Sequence, residues 1–431
     1  MFDEEENSVK KIVSILLALV LLMTCASAMA AAKKTTTMAD NNFSMETEGY
    51  VVLQNVEDRK ITPAEGALEV NPVIDGESPT TGMPYDTSAR YMPIIVQISN
   101  SAGTETVEGG LSYTANEKMA RGLELDRNDT KDKKIESAGI GPRAPWGGQY
   151  ADVVYEGILY RDGVTRISFV YNDALADGGE LTAGPVRSAR LGHVRLREEW
   201  GGGIAFCGGP KAESNNVIKL FKDLGATDKG VVFDVETSLK KGLFNHRVKG
   251  VLAPDNLSVD AVGLQSLIPE TTVATPHPFL FSDVSPYTDG YEMAYSINLD
   301  WGHNGFISHY VYDAENNLYL RYSGEAPYMT FAAADDREED NMEQLSFSNV
   351  IIQRVPYKFV NNNRIMPDMQ SIGKGNADIF IGGRYIPGYW VREDLESPTV
   401  YFDDQGNEIY LARGKTFIAH FPPEALLAYG N

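Results

Sequence analysis

Asp152-Val-Val-Tyr-Glu-Gly-Ile-Leu-Tyr160, Arg161-Asp162-Gly163 and Val164-Thr-Arg-Ile-Ser-Phe-Val-Tyr171 form the stretch on which the reading of the fold turns. Its two flanks are rich in β-branched and aromatic residues, and the Asp-Gly between them is a hairpin signal. Side chains alternate along an extended strand, which places Asp152 and Glu156 on one face. Just downstream, Gly184-Pro-Val-Arg-Ser-Ala-Arg190 precedes Arg195 and Arg197, so four arginines fall within eleven residues. Proline suits the first helical position, so the spacing predicts a helix opening at Pro185 with Arg187 and Arg190 one turn apart. Guanidinium forks at a helix N-terminus suit a phosphate, pyrophosphate or carboxylate. The competing reading is that these arginines bridge the chain's own Asp and Glu, or contact a partner.

Strands and helices alternate on both sides of this region. Tyr91–Asn100 is a β-branched run suited to a buried strand, and Ile204-Ala-Phe-Cys207 is another. In Lys211–Leu224, Val217, Leu220, Phe221 and Leu224 follow helical spacing, with Gly225 placed to end the helix. The pattern predicts an α/β layered domain over residues 86–275. A polar, Gly-rich insertion at 101–145 reads as a surface loop. After Pro276, short alternating runs from Tyr291–Asn298 to Thr416–Phe421 are separated by turns such as Asp313–Asn317, Gly382-Gly383 and Asp404–Asn407. They predict a smaller antiparallel β-rich domain over 276–431. The expected class is therefore α+β, with an interdomain connection near residues 265–290.

At the N-terminus, Lys10-Lys11 precedes an apolar run from Ile12, followed by Cys25-Ala-Ser-Ala-Met-Ala. A basic segment, an apolar core and small residues with A-x-A spacing read as a signal peptide over residues 1–32. Three fates stay open: cleavage after Ala28 or Ala30, lipidation at Cys25, or retention of Ile12–Ala32 as a membrane anchor. In each the body is extracytoplasmic, either secreted or tied to the membrane through this segment alone. Residues 33–85, polar at first, read as a tether and N-terminal extension. After cleavage only Cys207 would remain, within an apolar run, which suits a buried structural thiol better than a nucleophile.

The composition narrows the functions. There are 60 Asp and Glu against 38 Lys and Arg, a formal charge of −22, which argues against nucleic acid as a partner. The six histidines (193, 246, 277, 303, 309 and 420) show no zinc-ligand spacing. Asp403–Glu408 lacks the calcium-loop pattern and reads as a hairpin turn. Neither a nucleophile-elbow nor a P-loop or dinucleotide fingerprint occurs.

Ala151–Glu156, Gly163–Ile167, Gly184–Arg190 and Ala253–Leu257 together resemble the YerB-like family. So do Asn349–Gln353, Gly373–Trp390 and Gly414–Thr416 in the second half. These are bacterial envelope proteins of unknown function, many described as lipoproteins. The resemblance implies two domains, an α/β one and a smaller β-rich one, and implies no activity. The chain departs from the family pattern at Asp255, where a His is usual, and at Pro210, where a Ser is usual.

Two function classes follow. The first is a noncatalytic binder of an anionic envelope ligand or a protein partner, acting through Arg166, Arg187, Arg190 and Arg197. The second is a metal-assisted phosphotransferase or phosphodiesterase on envelope intermediates, loosely similar in element order to LytR-CpsA-Psr enzymes. In that version Asp152 and Glu156 hold a divalent cation beside the arginines. Otherwise no cofactor is expected, and the two carboxylates belong to an internal salt-bridge network.

Overall fold

The computed structural model describes residues 45, 47–100, 111–114, 134–137, 144–161, 163–235, 243–248, 255–302, 307–324, 326–336, 342–363 and 366–430. The signal peptide, Cys25 and the start of the tether lie outside the described residues, as does most of the 101–145 insertion. Residues 111–114 and 134–137 of that insertion pair as an antiparallel ladder.

The centre is a mixed sheet of eleven strands: β1 (Ile94–Ser99), β2 (Val153–Ile158), β3 (Thr165–Tyr171), β4 (Gly203–Phe206), β5 (Val232–Asp234), β6 (Glu292–Met293), β7 (Asn349–Arg354), β8 (Gly373–Ile381), β9 (Arg384–Arg392), β10 (Val400–Asp403) and β11 (Thr416–Phe421). Their order is β6-β9-β8-β7-β11-β2-β3-β1-β4-β5, with β10 also on β9. The Asp-Gly signal marks a true hairpin, in which β2 and β3 pair antiparallel from Val153↔Val170 to Ile158↔Thr165. The middle strands β7, β11 and β2 run parallel. Strands from 86–275 and from 276–431 thus share one sheet, joined where β11 pairs β2.

A second, seven-stranded sheet, all antiparallel, is built on Ser296–Asp300, Ile307–Asp313 and Leu318–Ser323, with Val51–Leu53 and Leu427–Gly430 at one side. It covers the central-sheet face that carries Glu156 and Phe417. Tyr310 meets Phe417 at 5.0 Å between ring centroids, and Trp301 meets Phe421 at 4.8 Å. The opposite face, carrying Tyr155 and His420, lies against helix α1 (Leu191–Trp200). There Trp200 Nε1 donates to the Tyr155 hydroxyl at 3.2 Å, and His420 stacks on Tyr155 at 5.1 Å.

The α/β layered expectation is corrected here: the fold is predominantly β, in several sheets. Among the described residues only α1, α2 (Val217–Asp223) and α3 (Ala261–Ser266) are α-helical, all of them short. The helix expected at Pro185 does not form, because the backbone of 185–189 is taken by strands. Val186 N–H donates to Leu257 O, Arg187 N–H to Gln97 O and Ala189 N–H to Gly208 O, while the Pro185 and Arg187 carbonyls accept from Ser99 and Cys207. A helix there would leave those strand-edge groups buried and unpaired, at about 1–3 kcal/mol each.

The extension is packed rather than free from residue 47 onward. Asp173 accepts from the hydroxyls of Ser78 at 2.6 Å, Thr80 at 3.1 Å and Thr81 at 2.5 Å. Arg59 reaches β8 and β9, donating to Asp378 Oδ1 at 2.7 Å and to the Ala377 carbonyl at 2.6 Å.

Candidate anion-binding site

Helix α1 begins six residues later than the sequence predicts, and that delay shapes the site. Arg190, in extended conformation at φ −133°, is its N-cap. His193 Nδ1 accepts the Arg190 N–H at 3.0 Å, which satisfies one free donor of the helix start. The same bond leaves any imidazole proton on Nε2. Burial, with Arg166 and Arg190 adding repulsion, pushes the His193 imidazole well below its ordinary range, so it is neutral.

The cleft beside this helix start has a cavity volume of about 20 Å³. Arg166 from β3, Arg190, His193, Tyr357 and His420 all line it. Gly157 permits the close packing of its floor: a Cβ there would sit 2.9 Å from the Tyr357 hydroxyl. That hydroxyl donates to the His420 carbonyl at 2.8 Å and accepts from Ile158 N–H at 3.1 Å. Burial, and then Arg392, brings His420 down to about 3, so it too is uncharged.

Arg166, Arg187 and Arg190 come together, but not as i, i+3 neighbours on a helix. Arg166 is buried, 8% exposed; Arg187 and Arg190 are half-buried. Arg187 Nη2 lies 2.8 Å from Asp255 Oδ1, which supplies a counter-charge to this arginine. Arg190 donates to Ser188 Oγ at 2.8 Å and to the Ala189 carbonyl at 2.9 Å. Among the described residues neither Arg190 nor Arg166 has a carboxylate partner. The Arg166 fork has one long contact, Nη1 to the Ile98 carbonyl at 3.5 Å. The Nε atoms of Arg166, Arg187 and Arg190 are buried without a hydrogen-bond partner. Burial first, then repulsion from Arg190 and Arg187, lowers the Arg166 guanidinium to about 9.

The other sequence candidates lie elsewhere. Arg197 closes the far end of α1: Nε donates to the Gly202 carbonyl at 2.9 Å, Nη2 to the Gly201 carbonyl at 3.1 Å, and Nη1 pairs with Glu198 at 2.8 Å. A cation on the last carbonyls of a helix is a structural device, and Arg197 is removed from the cluster. Arg195 pairs with Asp368.

Asp152 lies outside the cleft, and Glu156 borders it with its carboxylate bonded to other neighbours. Asp152 Oδ2 accepts from Asn172 N–H at 2.5 Å and Asp173 N–H at 3.0 Å. Burial and neighbouring Asp173 raise it well above the usual carboxylate range despite those bonds. Glu156 Oε1 accepts from Asn100 and Thr165, and Oε2 from Ser308 and Arg321, both at 2.9 Å. Four residues of strand separate the two by roughly 13 Å, whereas a divalent ion binds oxygen at about 2.0–2.6 Å. Among the described residues no group of three or more His, Cys, Asp or Glu is placed to hold a metal.

Sequence reasoning missed His193, Tyr357 and His420. His193 stands three residues after Arg190 and was within reach of a capping argument. His420 and Tyr357 arrive from the distant β11 region, and no local pattern announces them.

The crystal structure of YerB protein from Bacillus subtilis shares the fold at a TM-score of 0.56 and 19% identity, over 80% of this chain and 96% of that one. No curated protein matches the chain. Residues 135–272 and 297–418 match the N-terminal and C-terminal domains of a family described as Protein of unknown function (DUF3048). Those two matches cover more than half of the sequence, and the chain belongs to this YerB-like family.

Proposed function

We propose that this chain is an exported protein that binds an anionic ligand through Arg166, Arg187 and Arg190. The reading rests on one observation above all: Arg166 is buried beside two further arginines, with a single carboxylate, Asp255, among the three. Like charges gathered in a low-dielectric site repel, and an anion would relieve that repulsion while taking up unused N–H donors. His193, neutral and with Nε2 as its donor nitrogen, adds a hydrogen bond without adding charge. The small cavity suits the terminal oxygens of a phosphate, sulfate or carboxylate group rather than a whole polymer unit. Export rests on the signal-like N-terminus alone. The metal-assisted phosphotransferase has no comparable support, since Asp152 and Glu156 are both engaged by their own neighbours.

Thermal unfolding in inorganic phosphate, against chloride at equal ionic strength, tests the site. Phosphate at 100 times its dissociation constant should stabilise the chain by about 2.7 kcal/mol. Arg190→Gln, at the half-buried rim, should keep the unliganded melting temperature and lose the phosphate response. An identical response in Arg190→Gln, or none in the unmodified chain, rules the reading out.

A further inference from the structure

A separate cleft of about 50 Å³ opens at the other end of α1 and shares only Tyr155 with the arginine site. Its walls combine the aromatic Tyr91, Tyr155, Trp200, Phe279 and Tyr401 with aliphatic residues such as Val70, Ile409 and Leu411. Three glutamates line it, Glu69 at the exposed rim and Glu199 and Glu408 further in, and the surroundings of the inner two differ. Glu199 is neutralised, with Oε2 accepting from Arg392 Nη1 at 2.9 Å and Oε1 from Thr399 N–H at 3.0 Å. Glu408 has no cation: Oε1 accepts from Asn71 Nδ2 at 2.7 Å, and among the described residues no Lys or Arg pairs with it. Beside them, His277 Nδ1 is buried without a hydrogen-bond partner.

We propose that this cleft binds a small organic cation, an amine on an apolar body, with Glu408 as its counter-ion and the aromatic walls around its hydrocarbon. Half-buried Glu408 lacks the charge that an ammonium group would supply, and aromatic faces attract cations further. An anionic ligand would instead meet Glu408 and Glu199 together. Aromatic walls with a few convergent polar groups are the usual composition of a small-molecule site.

The cleft gives the binding a pH signature. Burial raises Glu408 to about 7, with the Asn71 bond opposing that rise. The other titratable groups around the cleft are Glu69, Glu199, His277, Tyr91 and Tyr401. Burial lowers the His277 imidazole below its ordinary 6.5 and raises the Tyr91 and Tyr401 hydroxyls, so the two tyrosines stay uncharged between pH 6 and 8. Only ionised Glu408 pairs with an ammonium group, so affinity should rise about tenfold from pH 6 to pH 8.

The test is thermal shift and calorimetry on the full chain with n-butylammonium, n-butanol and butyrate at matched ionic strength. Butylammonium should bind more tightly than butanol at pH 8, butyrate should not bind, and the preference should shrink about tenfold at pH 6. Glu408→Gln should make butylammonium and butanol equivalent at both pH values while leaving the phosphate response intact. Equal responses to all three probes, or an ammonium preference that survives Glu408→Gln, overturns the proposal. If Glu408→Gln lowers the unliganded melting temperature, the pH series on the unmodified chain decides alone: a preference independent of pH is then the negative result.

Discussion

Arg59 and Arg354 converge on Asp378, whereas Arg166, Arg187 and Arg190 gather with Asp255 paired to Arg187 alone; the two clusters use the same side chain to opposite effect. In the first, Arg59 Nη2 and Arg354 Nε donate to the two oxygens of Asp378 at 2.7 and 2.9 Å. Further donors reach backbone carbonyls, Arg59 those of Ala377 and Gly388 and Arg354 those of Ala425 and Leu53, and Arg59 Nη2 also donates to the Tyr385 hydroxyl. No buried nitrogen of either arginine lacks a partner. Although burial alone would raise Asp378, Arg354 and Arg59 hold it below its ordinary 3.8. In the second cluster Arg187 alone pairs with a carboxylate, three Nε atoms go unpartnered, and Arg166 falls to about 9. The ratio of carboxylate and carbonyl acceptors to guanidinium donors decides whether buried arginines cement a fold or stand ready for an anion. The first cluster ties the N-terminal extension to β8 and β9; the second leaves donors facing a cleft.

The largest effect should come from removing the acceptor in the balanced cluster. Asp378→Asn leaves Arg59 and Arg354 buried without a carboxylate, and should cost about 3–5 kcal/mol in urea unfolding. Because the pairing lowers the folded pKa, the stabilisation is present at neutral pH and should fade as pH drops through the folded value below 3.8. A loss under about 1 kcal/mol would mean that the carbonyl bonds alone hold the arginines, and the contrast between clusters would fail.

Arg166→Met should act in the opposite direction. It removes a buried cation with unused donors, so without added anion it should stabilise the fold by about 1–3 kcal/mol. The sign has a pH dependence. The folded state holds this proton less tightly than the unfolded chain, whose value is near 12.5, so the penalty is full below about 9 and is relieved as pH rises above it. The advantage of Arg166→Met should therefore shrink above pH 9. A variant less stable than the parent at pH 7 would show that Arg166 is structural cement after all.

The smallest effect calibrates the scale. Lys219 and Asp223 form an exposed i,i+4 pair on α2, and Lys219→Ala should change stability by about 0.3–0.5 kcal/mol, less at high salt. If it matched the effect of Asp378→Asn, burial would not be what separates strong pairs from weak ones.

Much of the local structure was legible before the fold was known. The Asp-Gly hairpin, the buried strand at Ile94–Ser99 and the helix ending near Gly225 all follow from alternation, turn chemistry and spacing, because those signals act over a few residues. The same logic failed at Pro185, where helical spacing was outweighed by strand edges contributed by Gln97, Cys207 and Leu257. It failed again at residues 47–85, whose polar composition concealed anchors such as Arg59 and Ser78. Their acceptors, Asp378 and Asp173, lie far along the chain.

By itself, then, the sequence determined several of the strands, the Asp-Gly hairpin between two of them, and the strongly acidic balance of the whole. Only the tertiary structure decided that β11 docks beside β2, so that strands from both halves form one sheet. It also decided that Arg166 joins the cluster while Arg197 leaves it, and that Glu156 faces Arg321 rather than a cation. Strand propensity and turn signals are written in neighbouring residues. The charge environment of a buried group is set by whichever side chains the sheet order carries past it, and that order depends on pairings between segments hundreds of residues apart.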